Sequence, residues 1–247
     1  METIQKAIEV KGLTKRFGAF TAVRAISFDV AQGEIFGFLG ANGAGKTTAM
    51  RMLCGLLTPS GGQATVAGFD VYRQPDDIKR HIGYMSQRFS LYEDLTPLEN
   101  IFFYGGIYGL DRPALKRKAD ALIAKLQLEK EAHTAVRSLP LGWRQKLSFS
   151  VALLHEPAIV FLDEPTGGVD PITRRQFWEM IYETAEAGAT VFVTTHYMDE
   201  AEYCQRLSIM VDGEIRALGT PQEIKAELEQ DSIDGVFQVL ARGTSTR

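Results

Sequence analysis

The sequence predicts an α/β protein built on a largely parallel sheet with helices on both faces. Three observations carry this reading. Strand-like runs alternate with helical stretches, the order that yields a parallel sheet buried between two layers. The run AIVFLDE is almost continuously apolar, as a strand covered on both faces requires. A glycine-rich loop separates the run EIFGFL from a stretch with helical periodicity.

Taken in order, residues 8–39 hold short β-rich runs, AIEV, AISFDV and EIFGFL, divided by turn signals such as LTKRFGAF and AQGE. From Lys46 to Leu57 the apolar positions Met50, Leu53, Cys54 and Leu57 form a helical stripe. Strand-like TVAG, FDVY and HIGYM follow. A helical middle comes next, clearest in LENIFFYGGIYGL and PALKRKADALIAKLQL, and it reads as an inserted helical subdomain over about 88–155. After AIVFLDE come a helix in PITRRQFWEMIYETAEAG, the strand TVFVTTH, a short helix from Met198 and the strand pair RLSIMV and EIRALG. PQEIKAELEQ and VFQVL read as short helices, so that one domain over 1–230 is followed by a short helix and polar tail over 231–247.

Length and composition bound the function. A chain of 247 residues can build one or two domains without disulfide or metal staples. With 45% hydrophobic and 23% charged residues it is an ordinary globular composition, not a disordered one. No apolar run reaches the roughly 18 residues of a membrane span, and METIQKAIEV lacks the pattern of a secretory signal, so a cytoplasmic address is expected. The net charge of −4 argues against nucleic acid or an anionic membrane surface as the main partner. Cys54 and Cys204 lack metal-ligand spacing and read as buried thiols.

The strongest chemical signal is Gly40-Ala41-Asn42-Gly43-Ala44-Gly45-Lys46-Thr47-Thr48, a G-x-x-x-x-G-K-[ST] loop between a strand and a helix. Such a loop brings many backbone N–H groups to a phosphate chain, and the helix start adds partial positive charge. Lys46 supplies a full charge to the β- and γ-phosphates, and the Thr47 hydroxyl is a ligand for Mg²⁺. The four fixed positions would arise by chance in about one percent of chains this long. The fold is therefore expected to be a P-loop NTPase, although this loop alone does not separate kinases, GTPases and motor ATPases. In AIVFLDE, four apolar residues run into Asp163 and Glu164. Asp163 at the strand end suits Mg²⁺, and Glu164 suits polarisation of an attacking water.

Over residues 7 to 230 the chain resembles the ATP-binding subunits of ABC transporters. That resemblance implies an ABC nucleotide-binding cassette with a mixed or parallel sheet core, an N-terminal antiparallel β-subdomain and the helical insertion. It places Phe17 of KRFG on the adenine and makes Gln87 of YMSQ a link between Mg²⁺ and a membrane partner. His196 of VTTH becomes the switch histidine, and Asp170 of GGVDP belongs to a loop crossing a dimer interface. The catalytic set is then Lys46, Glu164 and His196, and the metal set Thr47, Gln87 and Asp163. An aromatic face contributes about 1–3 kcal/mol to base stacking with little regard to base identity.

The family signature Leu-Ser-Gly-Gly-Gln is altered to Leu139-Pro140-Leu141-Gly142-Trp143. The resemblance places Gly142 against the nucleotide of a partner cassette, in trans. Pro140 has neither hydroxyl nor N–H, and Leu141 puts bulk where glycine allows close approach. Either the site is weakened, or helix-terminal N–H groups after Gly142 still hold the phosphate. With SLYEDLTPLENIFFYGGIYGL and THYMDEAEYCQRL, this signature is similar to that of type 2 (multidrug-type) exporter ATPases, most of all the C-terminal half of tandem chains. The chain is then either a separate subunit, pairing with itself or with a second cassette, or a piece of something longer.

The resemblance implies an ATP- and Mg²⁺-dependent ATPase, peripheral on the inner face of the membrane through permease subunits. The groove beside Gln87, with Phe89, Tyr92 and Phe102, is expected to dock a coupling helix, unless these rings pack the insertion's own core. Alternatives are a soluble ABC ATPase acting on the ribosome or DNA, and a regulatory cassette with a degenerate signature.

Overall fold

The computed structural model describes residues 5–87 and 91–242. Along the chain run β1 (Lys6–Phe17), β2 (Phe20–Ala31), β3 (Ile35–Leu39), α1 (Lys46–Leu53), β4 (Gly61–Val66), β5 (Phe69–Asp70), α2 (Pro75–His81) and β6 (Ile82–Met85). They continue as α3 (Pro97–Ile107), α4 (Arg112–Lys125), α5 (Leu141–Ala152), β7 (Ile159–Asp163), α6 (Pro171–Glu186) and β8 (Thr190–Thr195). The last are β9 (Arg206–Val211), β10 (Glu214–Gly219), α7 (Pro221–Glu227) and α8 (Ile233–Arg242).

Two sheets result. An antiparallel one has the order β2-β1-β4-β5. The other, β10-β9-β3-β8-β7-β6, is parallel except for the β10–β9 hairpin at its edge. Every residue of β3, β7 and β8 is buried, which the apolar runs anticipated. Between the sheets Phe28, Phe36, Phe38 and Phe192 stack or tilt at centroid distances of 5.3–6.1 Å. The opposite face of the parallel sheet is covered by Phe149 of α5 and by Phe177, Trp178 and Ile181 of α6.

The helical stretch gathers its own core around Ile101, Leu115, Ile123, Val136 and Leu147. Helix α5 serves two cores, with Leu147 and Val151 turned to this one and Phe149 and Ala152 to the sheet. Helices α3, α4, α6 and α7 start at side-chain caps. Thr96 and Glu99 form a capping box at α3, and Thr220 and Glu223 repeat it at α7. Asp170 caps α6 ahead of Pro171.

Three local readings change. FDVY is a strand only at Phe69–Asp70, because the Asp70 carboxylate accepts from the N–H groups of Tyr72 and Arg73 and turns the chain. The unanticipated α2 buries only Ile78, too little apolar surface to leave a periodic signal. The short helix from Met198 is a 3₁₀ helix over Met198–Tyr203. Both cysteines are free and buried, as expected.

Candidate functional site

The phosphate loop spans the gap between β3 and α1. Gly45 adopts a left-handed φ of 105° as the N-cap of α1, and a Cβ there would stand 2.4 Å from the Ala22 carbonyl oxygen. Only glycine fits. The loop then turns Lys46 inward, where its side chain is nearly inaccessible. Lys46 Nζ donates to the carbonyls of Gly40 (2.7 Å) and Ala41 (3.2 Å) and forms an ion pair with Glu164 Oε1 at 3.1 Å.

Strand adjacency places the acids. Asp163 lies in register with Thr194 of β8, and its Oδ1 accepts from the Thr194 hydroxyl (2.7 Å) and the Thr47 hydroxyl (3.2 Å). One residue on, Glu164 leaves the strand with a left-handed φ of 50°, its N–H bonded to Thr194 Oγ1. Its carboxylate meets three groups: Lys46 at Oε1, and at Oε2 both Gln87 Nε2 (2.8 Å) and His196 Nδ1 (3.0 Å). Lysine, glutamine and histidine thus converge on one carboxylate from three different elements.

These contacts set the acids apart electrostatically. Burial opposes ionisation of Glu164, but the Lys46 ammonium, with His196 and the Gln87 hydrogen bond, outweighs it and holds the carboxyl below the usual range. Burial pushes Asp163 up, against the pull of the Thr194 and Thr47 hydroxyls. A raised carboxyl costs the folded state stability as pH rises through the carboxylate range. Asp163→Asn is therefore expected to raise stability at pH 7 by about 1 kcal/mol, or about 2–4 °C in Tm. The gain should vanish below the usual aspartate range. Thermal melts across pH check this, and a variant less stable than wild type at pH 7 would contradict it.

A cavity of 290 Å³ opens over the loop, with Phe17 and Phe20 on one side and Gln87 and Glu164 on the other. Asn42, Gly43, Gly45, Lys46, Thr47 and Thr48 form its floor. Gly40 and Ala41 act through their carbonyls on Lys46, while Ala44 is buried behind the loop. Phe17 is about half exposed, at 49%. A larger groove of 530 Å³ lies away from these groups, and its charged side chains are already paired, Lys125 with Glu183 and Glu156 with Lys118.

Gly142 and Asp170 are not brought to this cavity. They share a separate groove of 280 Å³ with Pro140, Leu141 and Gly168. Gly142 seats α5 on α6, where a Cβ would meet Thr173 Cγ2 at 2.5 Å. Asp170 uses both oxygens within its own helix, on the Ile172 and Thr173 N–H groups and the Thr173 hydroxyl. Pro140 offers α5 no side-chain cap, and Leu141 stays partly exposed. Tyr92 and Phe102 are exposed, Tyr92 resting edge-on against Phe103 at 4.9 Å, and Phe89 lies outside the described residues.

Two contributors escaped the sequence reading. Phe20 pairs with Phe17 across the tight turn joining β1 and β2, which a hairpin reading of KRFGAF would have placed. Thr194 is one of three threonines in TVFVTT and carried no separate signal.

A mostly parallel sheet, a Gly-Lys-Thr loop after β3 and an acidic pair at the end of β7 define a P-loop nucleoside triphosphatase. The ABC transporter family matches residues 23–167, and the chain belongs to it. The probable multidrug ABC transporter ATP-binding protein YbhF of Escherichia coli is 48% identical over 92% of this chain. The match covers 39% of that relative, so the chain spans about two fifths of its length. The linearmycin resistance ATP-binding protein LnrL of Bacillus subtilis is 35% identical over 92% of this chain and 73% of its own. A solved ATP-binding subunit of an ABC transporter superposes with a TM-score of 0.85 at 29% identity, covering 95% of this chain and 99% of that one. The fold is that of an ABC ATP-binding cassette. Among the described residues, no helix is long and apolar enough to cross a membrane.

Proposed function

We propose that this chain hydrolyses ATP and powers the membrane subunits of an exporter. The observation that carries the reading is the convergence of Lys46, Gln87 and His196 on Glu164 at the mouth of the phosphate loop. An entering γ-phosphate offers Lys46 more negative charge than the carboxylate does and displaces it. Glu164, released, takes a proton from a water whose oxygen attacks the γ-phosphorus as the bond to ADP breaks. His196, released with it, donates to the γ-phosphate.

Thr47 and Asp163 are an oxygen pair of the kind Mg²⁺ takes beside phosphate oxygens, and Gln87 lines the same cavity as Thr47. They would hold the ion, which would neutralise charge on the β- and γ-oxygens. Phe17 stacks on the base. Phe17→Ala is expected to weaken nucleotide binding by about 1–3 kcal/mol, alike for ATP and GTP. Titration with both nucleotides checks this, and unchanged affinity would contradict it.

The groove holding Gly142 and Asp170 would face the nucleotide of a second cassette, the chain pairing with itself or with a sister in a head-to-tail dimer. Greater ATP affinity for the closed dimer is what lets binding do mechanical work. Exposed Tyr92 and Phe102 would receive a permease segment at the inner face of the membrane. The multidrug and drug-resistance names of the relatives favour an exporter over a ribosome- or DNA-directed ATPase. Intact Lys46, Asp163, Glu164 and His196 favour turnover over a purely regulatory copy. The test is phosphate release from MgATP by the purified chain, together with the proteins that co-purify from its host. Turnover and membrane permease subunits are expected, whereas co-purified rRNA or DNA would overturn the exporter reading.

A further inference from the structure

Glu200 is fully buried, lies outside the nucleotide cavity and has no part in the chemistry above. Burying a carboxylate is costly unless its oxygens are matched by donors. Here each oxygen takes one hydroxyl: Thr166 Oγ1 donates to Oε1 at 2.5 Å and Thr195 Oγ1 to Oε2 at 2.6 Å. Both threonines are 1% exposed. Thr166 lies two residues after Glu164, in the loop that runs on to Asp170. Thr195 immediately precedes His196, and its Oγ1 also accepts from the Tyr197 N–H at 3.0 Å, closing the backbone around the histidine.

A cation completes the cluster. Arg174 of α6, the helix capped by Asp170, places Nε 3.6 Å from Glu200 Oε1 and donates to Asp199 Oδ2 at 3.3 Å. Its guanidinium lies 4.2 Å from the centre of the Tyr197 ring. The acid loop, the start of α6 and the turn bearing His196 are thus tied to one carboxylate.

We propose that Glu200 is a positioning residue, which through Thr166 and Thr195 makes the loop from Glu164 to Asp170 and the turn of His196 move as one unit. This rests on the function proposed above. A change at the dimer-facing end of the loop is then felt at the histidine without passing through the nucleotide. Removing either hydroxyl takes the hydrogen bond from one buried carboxylate oxygen and frees one side of the unit.

The test uses the full chain with Thr166→Val, which keeps shape and loses the hydroxyl, and Thr166→Ser, which keeps the hydroxyl. Thr166→Val is expected to lower kcat for ATP about tenfold while KM stays within about twofold, and Thr166→Ser to retain turnover. In ¹⁵N-histidine-labelled protein, Thr166→Val should move the His196 ring signal, assigned by its loss in His196→Ala, and not those of His81, His133 and His155. If Thr166→Val does not fold, Thr195→Val empties the other carboxylate oxygen and gives the same two readings. An unchanged kcat or an unmoved His196 signal overturns the proposal. A wild-type chain that binds ATP without turning it over would instead overturn the function on which it rests, and the proposal with it.

Discussion

Lys46→Ala is expected to abolish measurable ATP binding and to destabilise the nucleotide-free protein by about 3 kcal/mol, a fall in Tm of about 6–12 °C. The two losses have different origins. Among the described residues, the ammonium is the only full positive charge lining the cavity that the phosphates would enter. In the free state it is half of an ion pair whose side chains are 4% and 7% exposed, so its removal leaves Glu164 buried with, among the described residues, Gln87 and His196 as its carboxylate's partners. Taking out the second charge as well should restore part of the stability, because an empty site costs less than an unpaired buried ion. Thermal melts of Lys46→Ala, Glu164→Ala and the double variant read this directly. Strict additivity would mean that the pair contributes nothing.

Glu164→Gln is expected to lower ATP turnover by about 10²–10⁴-fold, the range of a lost general base. Glutamine keeps the volume of the side chain and an oxygen for Lys46, so the loop should stay in place and the fold with it. What it lacks is the capacity to take a proton from water. Phosphate release under saturating MgATP measures the effect, and a variant with wild-type turnover would remove Glu164 from the chemistry. The altered signature sharpens this test. With Pro140 and Leu141 in place of a hydroxyl and a glycine, a slow wild type is one of the two open readings, so the ratio between variant and wild type matters more than either rate.

What was legible in the sequence was local. The phosphate loop is contiguous, and its glycines, lysine and threonine act within one turn of α1. The strands β3, β7 and β8 declared themselves because burial on both faces makes their central positions apolar. Asp163 and Glu164 were readable for the same reason, as the first charges after an apolar run. The meeting of Gln87 and His196 on Glu164 was a different matter, since it joins residues 77 and 32 positions apart. It depends on β6, β7 and β8 being neighbours, with Met85 opposite Leu162 and Asp163 opposite Thr194. Strand order is a property of the sheet, and no single run encodes it. The resemblance supplied the names of both residues, but not that a single carboxylate would hold them.

The same distinction explains Glu200 and α2. In THYMDEAEYC, Glu200 reads as one acid of several on a solvated turn, and only the tertiary packing that brings Thr166 and Thr195 onto its carboxylate puts it out of reach of water. Helix α2 is a surface element that exists because Pro75 and its neighbours can start a turn between β5 and β6, not because it buries an apolar face. Gly142 was expected for its part in trans. Within the chain it also has a packing duty against Thr173 that the signature pattern does not convey.

The central claim is that Glu164 occupies, in the nucleotide-free chain, the cation that the γ-phosphate must take, and becomes the base once displaced. The most direct test is the equilibrium affinity of Glu164→Gln for ATP, measured beside its turnover. Removing the competing carboxylate charge from Lys46 should tighten binding about tenfold, or 1.4 kcal/mol, while turnover collapses. ATP binding that is weaker than or equal to wild type, or turnover that survives the substitution, would contradict the claim.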